Sequence, residues 1–323
     1  LKTVNTTPKI TVVMPAYNVA PYISETLASV FAQSFTDYEV VMVNDGSPDT
    51  EELEQAIEPY RDRVRYIKQE NRGAGAARNE GLRAARGELV AFLDADDIWE
   101  TNYLEEQVKF LIGNNYDLVC ADAMHFGKSR LEGQTFMGAF MDSAPPAGKV
   151  TFLDLISAKR SLITSGVVAR RQPILEVGLF DESLRNSQDF DLWVRLSRAG
   201  RVLAYQRKVL LRYRFHEDSL SGDDFNRTMR ELRVLDKIEK AFDFTAAERS
   251  EVSQAVEQRR ASLEFELGKL YLEQGEVKNA RQSFAKANAL QRSWKTRVAL
   301  MLSRVAPGFL RAVRRRRLAK HAI

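Results

Sequence analysis

Glu88-Leu89-Val90-Ala91-Phe92-Leu93-Asp94-Ala95-Asp96-Asp97 runs from an apolar, strand-like segment straight into three carboxylates within four positions. Carboxylates so close repel one another and resist desolvation, so they call for a compensating cation. Hard divalent ions such as Mg²⁺ or Mn²⁺ take oxygen ligands, one or two protein carboxylates together with substrate phosphates. Open α/β sheets bind their ligands at the carboxyl ends of parallel strands, and there the cluster reads as a metal-diphosphate site. The plainer alternative is an acidic turn opening a helix, with Asp97 as N-cap before Ile98 and Trp99.

Strand and helix signals alternate on the N-terminal side of this stretch. Lys9 to Met14 is a β-rich run stopped by Pro15, and Ala20 to Ala32 has helical spacing after the Pro21 start signal. Tyr38 to Val43 reads as a second strand ending in the turn Asn44-Asp45-Gly46-Ser47. Glu51 to Ile57 reads as helix, Val64 to Ile67 as strand, Ala74 to Ala85 as helix, and Leu89 to Leu93 as the fourth strand. Such a β-α-β-α-β-α-β order implies an α/β fold with a mostly parallel sheet and helices on both faces. Tyr17, Asn18, Asp45, Asn71, Arg78, Asp94 and Asp96 then gather at the same end of the strands, where a nucleotide would lie. Beyond Asp97 the pattern predicts a helix over Tyr103–Ile112, a strand over Tyr116–Ala121 and a mobile loop over residues 127–149, with mixed structure over 151–215. From about Phe225 onward only helices are expected.

The composition of the 323 residues, 44% apolar and 28% charged, is that of a globular protein. One cysteine, Cys120, excludes a disulfide framework and a cysteine-based zinc cage. The three histidines lie far apart without metal-ligand spacing. No apolar run approaches the ~18 residues that span a bilayer, and no secretory leader is evident, which together predict a cytoplasmic protein. The net charge of +4 conceals an asymmetry. Thirteen cations and no acid follow Glu276, which leaves residues 1–276 at −9. An acidic body with a basic tail is the result.

Asn71-Arg72-Gly73-Ala74-Gly75-Ala76-Ala77-Arg78 invites a dinucleotide reading, but Arg78 stands where the third glycine of G-x-G-x-x-G belongs, and this is the third βα turn, not the first. Arg78 is then either a nucleotide contact or a structural ion pair. In Ser187-Gln188-Asp189-Phe190-Asp191-Leu192-Trp193, two acids fall in the first turn of a predicted helix whose apolar face includes Phe190, Trp193, Val194 and Leu196. Asp189 is either a general base aimed into the cleft or an ordinary first-turn acid behind a Ser187 cap.

Taken in order, these motifs resemble family 2 glycosyltransferases of the GT-A fold across residues 10 to about 215. Val12-Val13-Met14-Pro15-Ala16-Tyr17-Asn18 resembles that family's opening strand and nucleotide-binding turn, and Val43-Asn44-Asp45-Gly46-Ser47 its second. The segment Asn71 to Asn79 resembles the stretch before the metal motif, and Phe92-Leu93-Asp94-Ala95-Asp96-Asp97 its D-x-D motif. The resemblance implies that Asp45 contacts the nucleobase, that Pro15, Ala16, Tyr17, Asn18, Arg78, Asp94, Ala95 and Asp96 bind the donor, that Asp96 ligates a Mn²⁺ or Mg²⁺ ion while Asp94 faces the ribose or that ion, and that Asp189 is the acceptor-side base. The implied activity is inverting transfer of a sugar from a nucleotide-diphosphate donor, with UDP-sugar favoured, to a hydroxyl acceptor in cell-surface glycan biosynthesis. A polyprenyl-phosphate acceptor and a non-catalytic scaffold are the competing readings. One departure stands out: Gln188 occupies a position where the family often has Glu, which leaves the acceptor open.

The expected division is a GT-A catalytic domain over 1–224, a helical extension over 225–290 and a basic amphipathic tail over 291–323. Leu267, Gly268, Leu270, Tyr271, Gly275, Ala280, Phe284 and Ala287 have the small/large spacing of one tetratricopeptide-like hairpin. Trp294, Val298, Met301 and Val305 recur at helical spacing with basic opposite faces, which predicts contact with an anionic membrane surface at its cytosolic side. Arg314–Arg317 could also attract nucleic acid, yet no recognition module accompanies them, so no nucleic-acid partner is expected.

Overall fold

The computed structural model describes residues 7–128, 131–141, 144–184, 187–216 and 224–310. In chain order it contains β1 (Ile10–Ala16), α1 (Ala20–Phe31), β2 (Tyr38–Asp45), α2 (Thr50–Ile57), β3 (Val64–Gln69), α3 (Ala74–Ala84) and β4 (Leu89–Phe92). There follow β5 (Ile98–Trp99), α4 (Tyr103–Gly113), β6 (Leu118–Gly127), α5 (Phe136–Phe140), β7 (Ala147–Val150) and α6 (Phe152–Ile156). Next come β8 (Val167–Arg170), α7 (Arg171–Glu176), α8 (Gln188–Arg198) and β9 (Leu203–Phe215). The helical end consists of α9 (Asp224–Ala241), α10 (Ala246–Gln274), α11 (Val277–Leu290) and α12 (Trp294–Val305).

All nine strands form one sheet in the order β3-β2-β1-β4-β8-β6-β9-β5, with β7 added on β9. The run β3-β2-β1-β4 is parallel throughout, as the βαβ alternation requires. Its strands read as near-continuous apolar runs because both faces are covered: Val12, Val13, Met14, Val41, Val43, Val90 and Phe92 have essentially no exposure. β8 then inserts antiparallel between β4 and β6, and β6 runs parallel to β9. The expected mostly parallel sheet followed by a helical extension is therefore present, with antiparallel strands in its second half.

Three local expectations need correction. Pro15 does not stop β1, which continues through Ala16. Pairing with β4 ends at Val13↔Phe92, so beyond that point Pro15 faces a ladder only on the β2 side and its missing N–H is tolerated. Residues 127–149 are not a structureless loop, since α5 and β7 lie within them. Asp122 Oδ1 accepts from the Met137 N–H at 2.8 Å, Thr135 caps α5, and Gly148 packs on the Tyr205 ring, where a Cβ would sit 3.3 Å from the hydroxyl oxygen. Gly127, Gly138 and Gly148 serve close approach, whereas Gly133 has open space around it and a left-handed φ of 76°. Lastly, Asp97 caps no helix: Ile98 and Trp99 form β5, paired antiparallel with Leu211 and Arg212 of β9.

The chain divides into two compact units, Leu1–Leu155 with Lys159–Phe215, and Ile156–Ala158 with His216–Ile323. Within the second, a Thr245–Glu248 capping box starts α10, and Gly275 ends it at φ 86°. Gly268 on α10 allows the buried Phe284 ring of α11 to approach so closely that a Cβ would lie 2.5 Å from it. The small/large spacing read from sequence is this hairpin. No described helix is long and apolar enough to cross a membrane.

Candidate active site

Three βα turns build one wall. After β1, Tyr17 is half exposed and Asn18 takes a left-handed φ of 54°. The Asn18 N–H donates to Ser47 Oγ at 2.6 Å, and Ala20 N–H to Asp49 Oδ2 at 2.8 Å, so the first turn is tied to the second. Asn44 accepts from the Ser47 N–H at 2.8 Å and donates to the Tyr66 hydroxyl at 2.8 Å. Gly46 stands at φ 64°, and a Cβ there would meet the Asn71 nitrogen at 2.7 Å. Only glycine lets the second turn touch the third.

Asp45 is almost wholly buried, and the third turn uses most of its capacity. Its Oδ1 accepts from Gln69 Nε2 at 2.7 Å and from the Arg72 N–H at 2.9 Å, while Oδ2 accepts from the Gly73 N–H at 2.8 Å. A carboxylate offers about four acceptor sites, so one remains. Asp45 thus shapes the Gly-rich turn that opens α3, in addition to any contact with a base. Gly73 precedes α3 at φ 91° with open space where a Cβ would go.

Arg78, on the second turn of α3, is buried and donates from Nη2 to Asp94 Oδ1 at 2.5 Å. Of the two alternatives for this residue, the ion pair is present, and its partner is the first acid of the D-x-D stretch. Its guanidinium also lies 5.7 Å from the centre of the Phe180 ring. A buried charge needs such pairing, since removing one partner strands the other.

The acidic loop after β4 is clasped from several sides. Asp97 N–H donates to Asp94 O at 3.1 Å, closing a tight turn. Asp97 itself has no exposure. Burial pushes its carboxyl well above the usual range, and the neighbouring Asp96 and Asp94 charges push the same way. Arg214 of β9 finishes the clasp, donating from its N–H to Asp97 Oδ1 at 2.8 Å, from Nε to Asp96 O at 2.7 Å and from Nη2 to Glu25 at 2.5 Å.

Asp189 lies in the first turn of α8. Ser187 does not cap that helix with its side chain: it adopts a left-handed φ of 59° and makes no cap hydrogen bond. Such backbone costs roughly 1–3 kcal/mol and is common at functional sites. Instead Asp189 Oδ1 accepts from the Phe190 N–H at 2.8 Å and Oδ2 from Thr164 Oγ1 at 2.9 Å. The next residue, Ser165, accepts from the Asp94 N–H at 3.1 Å through Oγ and from Trp99 Nε1 at 2.9 Å through its carbonyl. One buried 3-10 turn, Thr164–Gly166, therefore links the Asp189 carboxylate to the acidic loop. Asp191, the other first-turn acid, is buried and bonded to Arg195 at 2.8 Å, a structural pair. Gln188 is buried, with its Oε1 unpartnered, and its Cγ would be 3.2 Å from a Cβ on Gly75, so α8 begins against the start of α3.

Sequence reasoning missed Thr164, Ser165 and Arg214. The first two sit in a short 3-10 turn without periodicity. Arg214 had one signal, a cation spaced by two from Arg212 in a strand with aromatic neighbours; both guanidiniums lie 4.5 Å from the Phe126 ring.

The residues present fit a divalent ion. Among the described residues no group of three or more acidic, histidine or cysteine side chains could cage a metal by itself. Asp97 is wholly buried and faces inward, so the partly exposed Asp94 and Asp96 remain, which suits an ion whose other ligands are phosphate oxygens and water.

The sheet and its acidic edge define the GT-A fold of nucleotide-sugar transferases. Staphylococcus aureus TarS 1–349, solved with UDP-GlcNAc, superposes with a TM-score of 0.65 at 20% identity, over 94% of this chain and 90% of that one. A mannosyltransferase from Pyrobaculum calidifontis, solved with GDP-Man and Mn²⁺, gives 0.63 at 18% identity over 96% and 87%. Residues 11–154 match the profile described as Glycosyl transferase family 2. A Rickettsia typhi protein described as an uncharacterised glycosyltransferase is 30% identical over 223 residues, 68% of either chain. This chain belongs to glycosyl transferase family 2. It is also similar to a longer Rickettsia felis glycosyltransferase, 33% identical over 215 residues, which are 65% of this chain but only 35% of that one. The Escherichia coli enzyme WfgD, named as a UDP-Glc:α-D-GlcNAc-diphosphoundecaprenol β-1,3-glucosyltransferase, is 28% identical over 228 residues, 70% of this chain and 85% of WfgD.

Proposed function

We propose that this chain moves a sugar from a UDP-linked donor to a hydroxyl of a lipid-linked glycan, with inversion at the anomeric carbon, during cell-surface glycan assembly at the cytosolic face of a membrane. The single observation that carries this reading is the turn joining Thr164 to Asp189 and Ser165 to Asp94, which couples a carboxylate to the acidic loop. In a single displacement the acceptor oxygen bonds to C1 as the C1–O bond to the diphosphate breaks. Asp189 takes the hydroxyl proton, and its two fixed hydrogen bonds leave lone pairs free for that proton. Arg78 sets Asp94, Arg214 sets the Asp96–Asp97 backbone, and the Pro15–Asn18 turn with Asp45 and Ala95 shapes the donor cleft. Asp94 and Asp96 would hold a Mn²⁺ or Mg²⁺ ion, which would supply charge neutralisation for the departing diphosphate.

The donor and acceptor classes are supported by the naming of WfgD and by the ligand held by TarS. Residues 1–224 carry this chemistry in our reading, with 225–290 and 291–323 as extension and tail. Asp189→Asn tests the base: turnover of sugar nucleotide onto acceptor is lost while calorimetric binding of UDP with Mn²⁺ persists. Full turnover in the variant refutes the role, and loss with a lipid-phosphate acceptor alone unaffected points to an acceptor that needs no hydroxyl base.

A further inference from the structure

We infer that α12 is a docking face for an anionic lipid bilayer, lying in the interface with Trp294, Val298, Met301 and Val305 immersed. This helix is held to α11 by its small residues. Thr296, Ala299 and Ser303 are buried, Ala299 packs in a cluster with Leu272, Ala280 and Phe284, and Arg281 Nε donates to Ser303 O at 2.7 Å. At about 100° per residue those three positions fall on one side, and Trp294, Val298, Met301 and Val305 fall within an arc of roughly 60° on the other. The large apolar side chains thus face away from the fold: Trp294 is 71% exposed, Met301 56% and Val305 73%. Phe309, 61% exposed, follows the end of α12 at its C-cap Ala306. The basic residues do not stand opposite this stripe, as the sequence suggested, because that side is packed on α11. They flank it.

Lys295 lies to one side of the stripe and Arg297 and Arg304 to the other, all exposed and without an acidic partner among the described residues. No acid follows Glu276 anywhere in the sequence, and Arg311 and Arg314–Arg317 come next along the chain. An apolar stripe bordered by cations complements an anionic headgroup layer over an acyl interior. A second copy of the same helix is the poorer occupant, since it would bring cations against cations with no carboxylate on α12 to receive them. Each Lys or Arg near an anionic surface raises partitioning about fivefold, so three together give about a hundredfold preference over a zwitterionic one.

The chain carries its own reporter. Trp99 and Trp193 are 2% and 1% exposed, so a change in tryptophan emission on adding vesicles reports Trp294. The 323-residue chain is mixed with vesicles of phosphatidylcholine alone, or of phosphatidylcholine with one quarter phosphatidylglycerol, and followed by flotation and emission. Flotation with a blue shift on the anionic vesicles, weaker by about a hundredfold on the neutral ones, is expected. Trp294→Phe should keep flotation and lose the shift. Trp294→Glu/Met301→Glu, whose side chains are exposed and leave the circular dichroism unchanged, should lose both. Flotation unchanged in that double variant overturns the inference, as does failure of the parent to float. A blue shift that grows with protein concentration without vesicles, accompanied by a larger mass in light scattering, assigns the face to a second copy and overturns it equally. No donor or acceptor is present, so failure here leaves the proposed transfer chemistry untouched.

Discussion

Gly81→Ala on α3 offers a test of how the fold sets the site. A Cβ at Gly81 would lie 2.5 Å from Cγ1 of Val13, a fully buried residue of β1. Carbon atoms pack at ~3.5–4.0 Å, so α3 must retreat by about 1 Å or distort Val13, whose β-branched side chain has little rotamer freedom. Overpacking costs about 1–3 kcal/mol, and replacing a mid-helix glycine returns about 1 kcal/mol in propensity. The net expectation is a loss of up to about 2 kcal/mol in urea unfolding. Arg78 sits one turn earlier on the same helix and reaches Asp94 at 2.5 Å, so a 1 Å retreat breaks that contact. Misplacement on this scale lowers kcat/KM for the sugar nucleotide by roughly ten- to a hundredfold. Val13→Ala removes the obstructing methyls, so the double variant should lose less stability than the sum of the singles and regain activity. If Gly81→Ala gains about 1 kcal/mol and turns over donor like the parent, the close packing of α3 on β1 does not position the site.

Two further expectations concern ionisation. Burial works to raise Glu39, but hydrogen bonds from the Arg86 side chain and backbone and from Thr11 outweigh it and hold the carboxyl below the usual range. The charged form stabilises the fold, in full above the unfolded-state value near 4.3 and progressively less as pH falls through the lowered value; Glu39→Gln should therefore cost about 1.5–3 kcal/mol at pH 7, with the gap to the parent closing in acid denaturation below about pH 4. Burial pushes the Cys120 thiol up to about 12. Ellman's reagent should accordingly leave the native protein untouched at pH 8 and titrate one thiol in urea, and rapid native labelling would show that this part of β6 opens.

The parallel half of the sheet was legible because burial on both faces leaves unbroken apolar runs, and because Gly46, Gly73 and Asp94 punctuate their ends. The helical end was legible through Gly268, Phe284 and Gly275, each of which has a geometric reason for its type. The second half of the sheet was not. β5 is two residues long, β8 four, and β9 alternates only over part of its length, so their pairing depends on partners distant in sequence. In the same way the acids of the site were readable as a local cluster, whereas the hydrogen bonds from Thr164, Ser165 and Arg214 that organise them come from far along the chain. The burial of Asp97 is tertiary too. Nothing in the three adjacent carboxylates distinguishes it from Asp94 and Asp96.

Arg214 reaches back across 118 residues to grip the carbonyl of Asp96. At about 5–20 residues per second a ribosome takes roughly 6–24 s to travel that distance. During that interval the nascent chain carries its acids on an unclasped loop, and β5 lacks the strand it pairs with. The acidic loop is therefore among the last parts of the first unit to be completed, and a chain released before β9 emerges would hold most of the parallel sheet yet lack a settled conformation for that loop.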